Sequence, residues 1–520
     1  MSSPSVYFPE AGPDPVRRDA YRTLLVATGL LFLTLTPHSG ALGLASAPLF
    51  LLCLHRFLRL ARSLTAPTSP AQIPDDTDPS DDSRRLLRGL GLVLVACQLV
   101  REAGDALLPT TSPYVHRLWA LALGLVLLCA TRPAGRNASR RPARSFLSPG
   151  LWLGLSLAAT ALCFAYLLRH APSPRIDVFG LQQRGAELLL SGQNPYSALY
   201  PNPYDPVETT QFFGHWVPAL DHYPYPPLSL ALSTLSFRLL GDVRWLFLLA
   251  HLLVAGVLYR LGQRRSDAGK TWDRGLALAC LHLLHPRGFL VIEQSWTEPL
   301  LAAAIALWVG QRVGRVPSAH ASPTTTEPAA PSFRWLADAL LFGVALACKQ
   351  YALLLLLPLC IPSRHAHFTP GWSRPQRLRW LLVCLLPLVA SYLPFALAAP
   401  ADFVEDVVLF QLRQPFRAEA LSLPALLYAL SDLKLPGATA ALGLALPLWY
   451  FARRKPGSLP SGTGGFLLLA SLLYLGFFAT AKQAFCNYYY LLGVLLLLTL
   501  AQLREASAKP PASAPAAQGS

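Results

Sequence analysis

An acidic residue stands close to the end of an apolar run in this 520-residue chain. Asp177 lies eight residues after Arg169, which ends the apolar stretch 149–169, and Arg175 is its nearest charged neighbour in sequence. A carboxylate at a membrane edge is costly unless it is solvated or paired, so Asp177 is a candidate functional group. It could equally cap a helix that begins at Val178, because Asp is a preferred N-cap residue. The residues alone leave both roles open. If Arg175 lies nearby, it lowers the pKa of the carboxyl group.

Basic residues beside other apolar runs are candidates for binding an anion. Lys349 lies between the runs 340–348 and 351–359, where an ammonium group needs an anion, water or the membrane interface. Lys482 stands at the end of another run and is followed by polar and aromatic residues, a pattern that also suits an interfacial anchor. A third candidate is the loop 411–417, which contains Arg413 and Arg417.

Aromatic residues are frequent in the same part of the chain and could form a platform for a sugar ring. They are Tyr196, Tyr200, Tyr204, Trp216, Tyr223, Tyr225 and Trp296. Aromatic side chains at a membrane interface more often serve as anchors, which is the alternative for each of them. His222 follows Asp221 and suggests a metal or acid–base site, but the other histidines are scattered. We therefore predict no metal and no cofactor.

Several short motifs occur in a recognisable order. After Asp177 come Gly192-Gln-Asn-Pro-Tyr196 and Tyr225-Pro-Pro-Leu228, then Glu293-Gln-Ser-Trp-Thr-Glu298 and Gly343-Val-Ala-Leu-Ala-Cys-Lys349. In this order they resemble the polyprenol-phosphate-mannose-dependent mannosyltransferases of the GT-C superfamily of membrane glycosyltransferases. The resemblance covers about 149–503. The chain departs from the family pattern in having four apolar runs before 149, and in lacking the Gly and Asn of the family's "G-Q-x-N" segment at 293–296.

The resemblance implies transfer of a hexose, with mannose the expected sugar, from a polyprenyl-phosphate donor. The acceptor would be a glycan, lipid or glycolipid on the noncytoplasmic face. Asp177 would be the general base, and the displacement would invert the anomeric carbon. Phosphate is a good leaving group, so the reaction needs cations rather than a general acid. The donor phosphate would be bound by Lys349, Lys482, Arg413, Arg417 and Arg175, and the substrates by Asn194, Tyr196, Tyr225, Gln294, Trp296 and Glu298.

The composition excludes an ordinary soluble enzyme. Hydrophobic residues make up 53% of the chain and charged residues only 14%, against about 25% charged in a typical soluble domain. Lys and Arg outnumber Asp and Glu by 44 to 28, but no basic face with aromatic or polar readers is evident, so we predict no nucleic-acid partner. The expected partner is the lipid bilayer.

The apolar runs predict an all-α polytopic membrane protein with about fourteen transmembrane helices. The predicted spans are 22–38, 41–57, 86–106, 115–131, 149–169, 243–262, 274–291, 297–313, 335–348, 350–362, 380–399, 436–452, 463–481 and 488–503. The stretch 225–240 opens with Pro-Pro and contains Ser229, Ser233, Ser236 and Arg238, so we predict an interfacial helix there.

The distribution of basic residues predicts the topology, because cytoplasmic loops collect Lys and Arg. With both termini cytoplasmic, most of the 44 basic residues fall on the cytoplasmic side. The loop 170–224 and the active site are then noncytoplasmic. We predict a multi-pass protein of the plasma (inner) membrane with an N-terminal four-span module (1–148), a GT-C-like domain (149–503) and a disordered cytoplasmic tail (504–520).

A multi-span transporter or flippase for a lipid-linked or small polar substrate is the alternative. Many spans with a few intramembrane charges describe such proteins as well. Transporters commonly contain internal repeats, and none is evident by eye in this sequence. A non-catalytic assembly subunit that keeps the fold is a third possibility, against which the presence of Asp177 argues.

Overall fold

The computed structural model describes most of the chain. The described residues are 15–35, 48–49, 51–56, 79–100, 113–131, 147–264, 273–313, 333–360, 373–453 and 462–502, and they are mostly helical. The tail 504–520 and most of the basic loops lie outside them, so the cytoplasmic placement of these segments stays a prediction.

In the described part of the chain, four long helices precede the loop that contains Asp177. They are α1 (Pro15–Thr34), α2 (Pro79–Val100), α3 (Pro113–Ala130) and α4 (Pro149–His170). At the start of α4, the Ser148 side chain accepts a hydrogen bond from the Leu151 N–H at 3.2 Å, and Pro149 needs no partner for its nitrogen. These two residues explain why the helix begins where the apolar run does.

The loop 170–224 is built from short elements. They are α5 (Asp177–Leu190), a 3₁₀ turn (Pro195–Ser197), β1 (Tyr200–Pro201), α6 (Pro206–Phe213) and β2 (Ala219–Leu220), with α7 (Pro227–Leu240) following. The strands pair antiparallel, with Tyr200 opposite Leu220. Asp205 and Glu208 form a capping box at α6, and Gly214 ends it at φ 87°, a conformation that favours glycine. Local sequence therefore fixes the loop.

The remaining described elements follow α7 in chain order. They are α8 (Arg244–Arg264), α9 (Arg274–Leu283), α10 (Gly288–Glu293), α11 (Glu298–Val313), α12 (Phe333–Cys348), a 3₁₀ helix (Gln350–Leu356), α13 (Leu357–Cys360), α14 (Arg374–Ala398), α15 (Pro400–Val404), a π-helical turn (Glu405–Leu409), α16 (Phe410–Arg413), α17 (Leu423–Ser431), α18 (Thr439–Ala452), α19 (Gly462–Thr480) and α20 (Cys486–Gln502).

Four helices of the described residues are long and apolar enough to cross a membrane. They are Pro149–His170, Arg244–Gln263, Arg374–Ala398 and Gly462–Thr480. Along α14 a stripe of large apolar side chains is exposed, consisting of Leu378, Leu382, Leu386, Val389, Leu393 and Leu397. Such a stripe is unfavourable in water and expected against lipid. The chain is thus helical with at least these candidate spans, and the full set of fourteen stays a prediction.

One predicted span is interrupted in the structure. The run 274–291 forms two helices, α9 and α10, separated by a turn at 284–287. Pro286 lies in this turn, and proline has no N–H for the helical hydrogen bond and clashes with the preceding turn. The prediction of one continuous helix here was wrong.

The first three helices share a core with the rest of the protein. Gln98 of α2 donates to the carbonyl oxygens of Leu284 and His285 at 3.2 and 3.3 Å, and Trp119 of α3 donates to Thr160 Oγ1 at 2.9 Å. Buried residues of α1, α2 and α3 belong to the same hydrophobic cluster as those of α9 and α20. The described part of 1–148 is therefore packed into the helical bundle.

Candidate functional site

Asp177 is the first helical residue of α5, and only one of its carboxylate oxygens is engaged. Oδ1 accepts hydrogen bonds from the Tyr204 hydroxyl at 2.9 Å and from the Val178 N–H at 2.8 Å. Among the described residues, none forms a hydrogen bond with Oδ2. The N-cap position is Ile176, and no side-chain hydrogen bond caps the helix, so the alternative that Asp177 caps a helix beginning at Val178 was wrong. Oδ2 of Asp177 is left as an oxygen that could take a proton.

The carboxyl group of Asp177 lies in a recess. The Asp177 side chain is half-buried. The protein atoms around it partly exclude water from the carboxyl group, and this desolvation raises its pKa. The hydrogen bonds from Tyr204 and Val178 and the charges of His222 and Arg417 act in the opposite direction. We call the group formed by Asp177, Tyr204, His222, Tyr225 and Arg417 the Asp177 recess.

Arg417 is the cation of this recess. Its guanidinium carbon lies 4.3 Å from the centroid of the Phe212 ring and 5.2 Å from that of Phe485, and it forms an ion pair with Glu419. The side chain is 16% exposed, and its charge lowers the pKa of Asp177 and of Tyr204. The two aromatic rings and the Glu419 carboxylate therefore hold the guanidinium group in place.

Tyr225 connects the recess to a buried ion pair. Burial raises the pKa of its hydroxyl, and the negative charges of Asp177 and Glu298 raise it further, so Tyr225 lies within the electrostatic reach of both acids. Its ring centroid is 5.4 Å from Lys349 Nζ. Tyr225, Lys349 and Glu298, predicted from separate motifs, therefore lie together, and the charge of Asp177 acts on the Tyr225 hydroxyl.

Lys349 and Glu298 form this buried pair. Lys349 Nζ lies 3.1 Å from Glu298 Oε1 and donates to Thr297 Oγ1 at 2.9 Å, while the Tyr351 hydroxyl donates to the same Oε1 at 2.6 Å. Glu298 Oε2 is buried and has no hydrogen-bond partner in the described part of the chain. The extended backbone of Lys349, with φ −157° and ψ 143°, separates α12 from the 3₁₀ helix and directs the side chain into this network.

The turn before Glu298 contains a backbone outlier. Ser295 adopts φ 63°, a left-handed conformation uncommon for any residue other than glycine. Its N–H donates to Ile292 O at 3.0 Å, and the Trp296 N–H donates to Val291 O at 3.0 Å. Trp296 Nε1 donates to Gln294 Oε1 at 3.0 Å. The two predicted substrate residues of this motif thus bind each other, and the strained turn sets where α11 begins.

The other predicted residues make contacts that organise the loop. Arg175 forms an ion pair with Glu208, and its Nε donates to Pro203 O at 3.0 Å. These contacts connect Arg175 to the chain before and after Tyr204, and not to the Asp177 carboxylate. Asn194 accepts from the Tyr196 N–H at 3.1 Å. The buried Tyr196 donates to Tyr225 O at 2.8 Å and packs edge-on against Phe403.

Two predicted phosphate ligands lie on neighbouring loop segments. Lys482 Nζ donates to Leu412 O at 2.9 Å, and its own carbonyl oxygen accepts from the Arg417 N–H at 3.2 Å. Arg413 forms an exposed ion pair with Glu405. Lys482 therefore fixes the backbone of Arg417, whereas Arg413 stays at the surface.

The segment 400–413 lies against the recess through two residues, Asp406 and Phe410, that the sequence analysis did not single out. In its π-helical turn, Asp406 Oδ2 accepts from the Tyr223 N–H at 2.8 Å, and Phe410 stacks on His222 with ring centroids 3.9 Å apart. Burial raises the pKa of the Asp406 carboxyl group to about 7. Single π-helical turns are frequent at functional sites.

No group of three or more His, Cys, Asp or Glu side chains that could hold a metal ion occurs among the residues that the structure describes. Comparisons with models of known protein families, with characterised proteins and with solved structures gave no match.

Proposed function

We propose that this protein is an integral membrane glycosyltransferase of the GT-C type. It transfers a hexose, mannose being the first candidate, from a polyprenyl-phosphate donor to an acceptor hydroxyl on the noncytoplasmic face. The observation that carries the proposal is the geometry of Asp177, whose Oδ1 is fixed by Tyr204 while Oδ2 is left for a proton. A carboxyl group whose pKa is raised by burial is a stronger base than an exposed one.

The reaction needs one proton acceptor and one leaving group. As the acceptor oxygen attacks the anomeric carbon, its proton passes to Asp177 Oδ2. The new carbon–oxygen bond forms while the bond to the phosphate oxygen breaks on the opposite face of the sugar. Polyprenyl phosphate leaves with the electron pair, and the anomeric configuration is inverted.

Cations near the base would stabilise the phosphate that leaves. Arg417 is the first candidate, because its charge acts on Asp177 and its guanidinium group can bind two phosphate oxygens. Lys349 is the second, because its ammonium group lies near Tyr225 of the recess, with Nζ 5.4 Å from the centroid of that ring. Lys482 supports Arg417 through the backbone.

The proposed architecture extends the four candidate spans to the full set expected from the apolar runs. Both termini would be cytoplasmic, with 149–503 forming the transferase domain and the Asp177 recess facing outward. Helix α7 would lie at the membrane interface, since Leu235, Leu239 and Leu240 are exposed on it while Ser229 and Ser233 are buried.

A donor screen tests the proposed function. Purified full-length protein in lipid nanodiscs is incubated with radiolabelled mannose, glucose or galactose carried on polyprenyl phosphate or on a nucleotide, together with octyl glycosides as acceptors. We expect transfer from a polyprenyl-phosphate sugar alone. Uptake of the lipid-linked donor across proteoliposomes without any transfer would instead favour the transporter alternative.

Removing the Tyr204 hydroxyl should change the pH dependence of transfer. Tyr204→Phe deletes a hydrogen bond that lowers the pKa of Asp177, so that pKa rises. Because the base must be ionised, activity is lost as pH falls through this pKa, and the acidic limb of the profile of kcat/KM moves to higher pH in the variant. We expect about a 10-fold loss of kcat, in line with one charge-assisted hydrogen bond. Tyr200→Phe, which removes a hydroxyl bound to Pro195 O, should leave the limb in place.

The topology can be tested by cysteine accessibility. Cysteine at Val207 or Gln411, both exposed, should react with a membrane-impermeant maleimide in intact cells. Cysteine at Arg140 or Lys455 should react only after the membrane is opened, because these basic segments are expected in the cytoplasm. Labelling of the second pair in intact cells would reverse the proposed orientation.

A further inference from the structure

His222 presents a nitrogen that has no partner beside the proposed base. The side chain is 8% exposed, and its Nε2 atom is buried without a hydrogen bond from any residue that the structure describes. Its Nδ1 atom lies 3.3 Å from Asp221 Oδ1. A carboxylate can only accept a hydrogen bond, so Nδ1 carries the proton of the neutral ring and Nε2 keeps a lone pair.

The imidazole ring is held in a fixed orientation. One face stacks on Phe410 at a centroid distance of 3.9 Å, and Phe213 lies at 5.7 Å. The next peptide N–H, that of Tyr223, is bound by Asp406 Oδ2 at 2.8 Å. Burial lowers the pKa of His222, which keeps the ring neutral near pH 7. Nε2 is therefore a pre-organised hydrogen-bond acceptor.

His222 and Asp177 belong to the same recess, because the Phe213 ring lies against both His222 and Tyr204, with centroid distances of 5.7 and 6.3 Å, and the Tyr204 hydroxyl donates to Asp177 Oδ1 at 2.9 Å. Both present an atom that can only accept, His222 through Nε2 and Asp177 through Oδ2. An unsatisfied buried acceptor is unfavourable, and a ligand that donates a hydrogen bond to it removes this cost. The complementary ligand carries two hydrogen-bond donors.

We propose, on the basis of the function inferred above, that His222 Nε2 accepts a hydrogen bond from a second hydroxyl of the acceptor, next to the hydroxyl that Asp177 deprotonates. The acceptor is then a sugar or another polyol with neighbouring hydroxyls, and not a simple alcohol. His222 selects the acceptor through this hydroxyl and takes no part in binding the donor.

The test combines His222 variants with monodeoxy acceptors. The full-length protein in nanodiscs is assayed with octyl mannoside and with each of its monodeoxy analogues, at a fixed concentration of polyprenyl-phosphate mannose. For the wild type, we expect one analogue to lose about 10- to 100-fold in kcat/KM, the equivalent of one buried hydrogen bond. In His222→Phe, kcat/KM for octyl mannoside should fall by the same factor relative to wild type. For the sensitive monodeoxy analogue, kcat/KM should be the same in His222→Phe as in wild type.

Two further variants separate this hydrogen bond from packing. His222→Gln retains an acceptor atom and should recover part of the discrimination between octyl mannoside and the deoxy analogue. His215→Phe, at an exposed histidine of the same loop, should discriminate as the wild type does. The inference is overturned if the ratio of kcat/KM for octyl mannoside to that for each monodeoxy analogue is the same in wild type and His222→Phe. The lower activity of the variant would then reflect a change in packing and not the loss of a hydrogen bond to the acceptor.

Binding of the same glycosides, measured by titration calorimetry without donor, distinguishes the two proposals. Deoxy-sensitive binding that disappears in His222→Phe, in a protein that transfers no sugar, would support the hydroxyl site and count against the glycosyltransferase. Sugar transfer whose acceptor preference is unchanged in His222→Phe would support the glycosyltransferase and count against the hydroxyl site at His222. A wild-type protein that binds none of these glycosides also overturns the inference.

Discussion

Replacing Asp177 with Asn should lower kcat for sugar transfer by about 10³-fold, within the usual range for loss of a general base. Asn has the same shape, and its side-chain oxygen can still accept from the Tyr204 hydroxyl, which donates at 2.9 Å in the wild type. The fold and the binding of donor should therefore persist, while the amide can no longer take the acceptor proton. The measurement is single-turnover transfer of labelled mannose from polyprenyl phosphate to an octyl glycoside.

The control for this substitution is Asp205→Asn in the same loop. Asp205 caps α6 by accepting from the Val207 and Glu208 N–H groups, and Asn is an equally good cap. This variant should transfer sugar at the wild-type rate. Equal rates for Asp177→Asn and wild type would show that the proton is taken by another group, and the proposed role of Asp177 would be wrong.

The elements that depend on local sequence were predictable. The helix α4 follows an apolar run and begins at Ser148 and Pro149, which are local signals. The C-terminal end of α7 is also set by a local signal, because Gly241, directly after the helix, adopts φ 74°. Hydropathy did not reveal the break between α9 and α10, because Pro286 is a single residue in a run that otherwise reads as continuous. The number of helices that cross the membrane stays a prediction.

The partners within the site could not be predicted, because they come from distant parts of the chain. Lys349 and Glu298 were each singled out, but nothing in the sequence indicates that they pair with each other. Similarly, Asp406 binds the N–H of Tyr223 across a separation of 183 residues. Sequence identified which charges border apolar runs, whereas three-dimensional packing decides which of them are neutralised by a protein partner.

Arg175 illustrates the same limit at short range. Its position two residues before Asp177 suggested that it tunes the carboxyl group, but its guanidinium group pairs with Glu208 on α6. The β1–β2 pairing and the capped α6 fold that part of the loop back toward α5. Tyr204 is brought to Asp177 by this folding, and spacing along the chain offered no signal for that contact.

The second large effect is expected at the buried pair formed by Lys349 and Glu298. Lys349→Met removes the ammonium group and leaves the Glu298 carboxylate buried, with Tyr351 as its donor. Breaking a buried ion pair from one side typically costs about 3–5 kcal/mol. We therefore expect a clear fall in the midpoint of thermal unfolding in detergent, together with loss of sugar transfer.

The double variant Lys349→Met, Glu298→Gln separates stability from function. It leaves no buried charge, and the Gln oxygen can still accept from the Tyr351 hydroxyl, so most of the stability should return. If the Lys349 ammonium group serves the donor phosphate, donor KM stays raised by at least about 10-fold, the equivalent of one interaction of 1.4 kcal/mol. The measurements are the unfolding midpoint and the initial rate over a range of donor concentrations.

A second buried pair, near the opposite ends of the two helices that position Glu298 and Lys349, supplies the matched control. Arg312 Nε lies 3.2 Å from Asp338 Oδ1, and Trp380 Nε1 donates to Asp338 Oδ2 at 3.0 Å. The variant Arg312→Met, Asp338→Asn removes this pair in the same way and should keep the wild-type donor KM. Recovery of both stability and donor KM in the Lys349→Met, Glu298→Gln protein would assign the pair to the fold alone, and Arg417 would then be the first candidate for the phosphate.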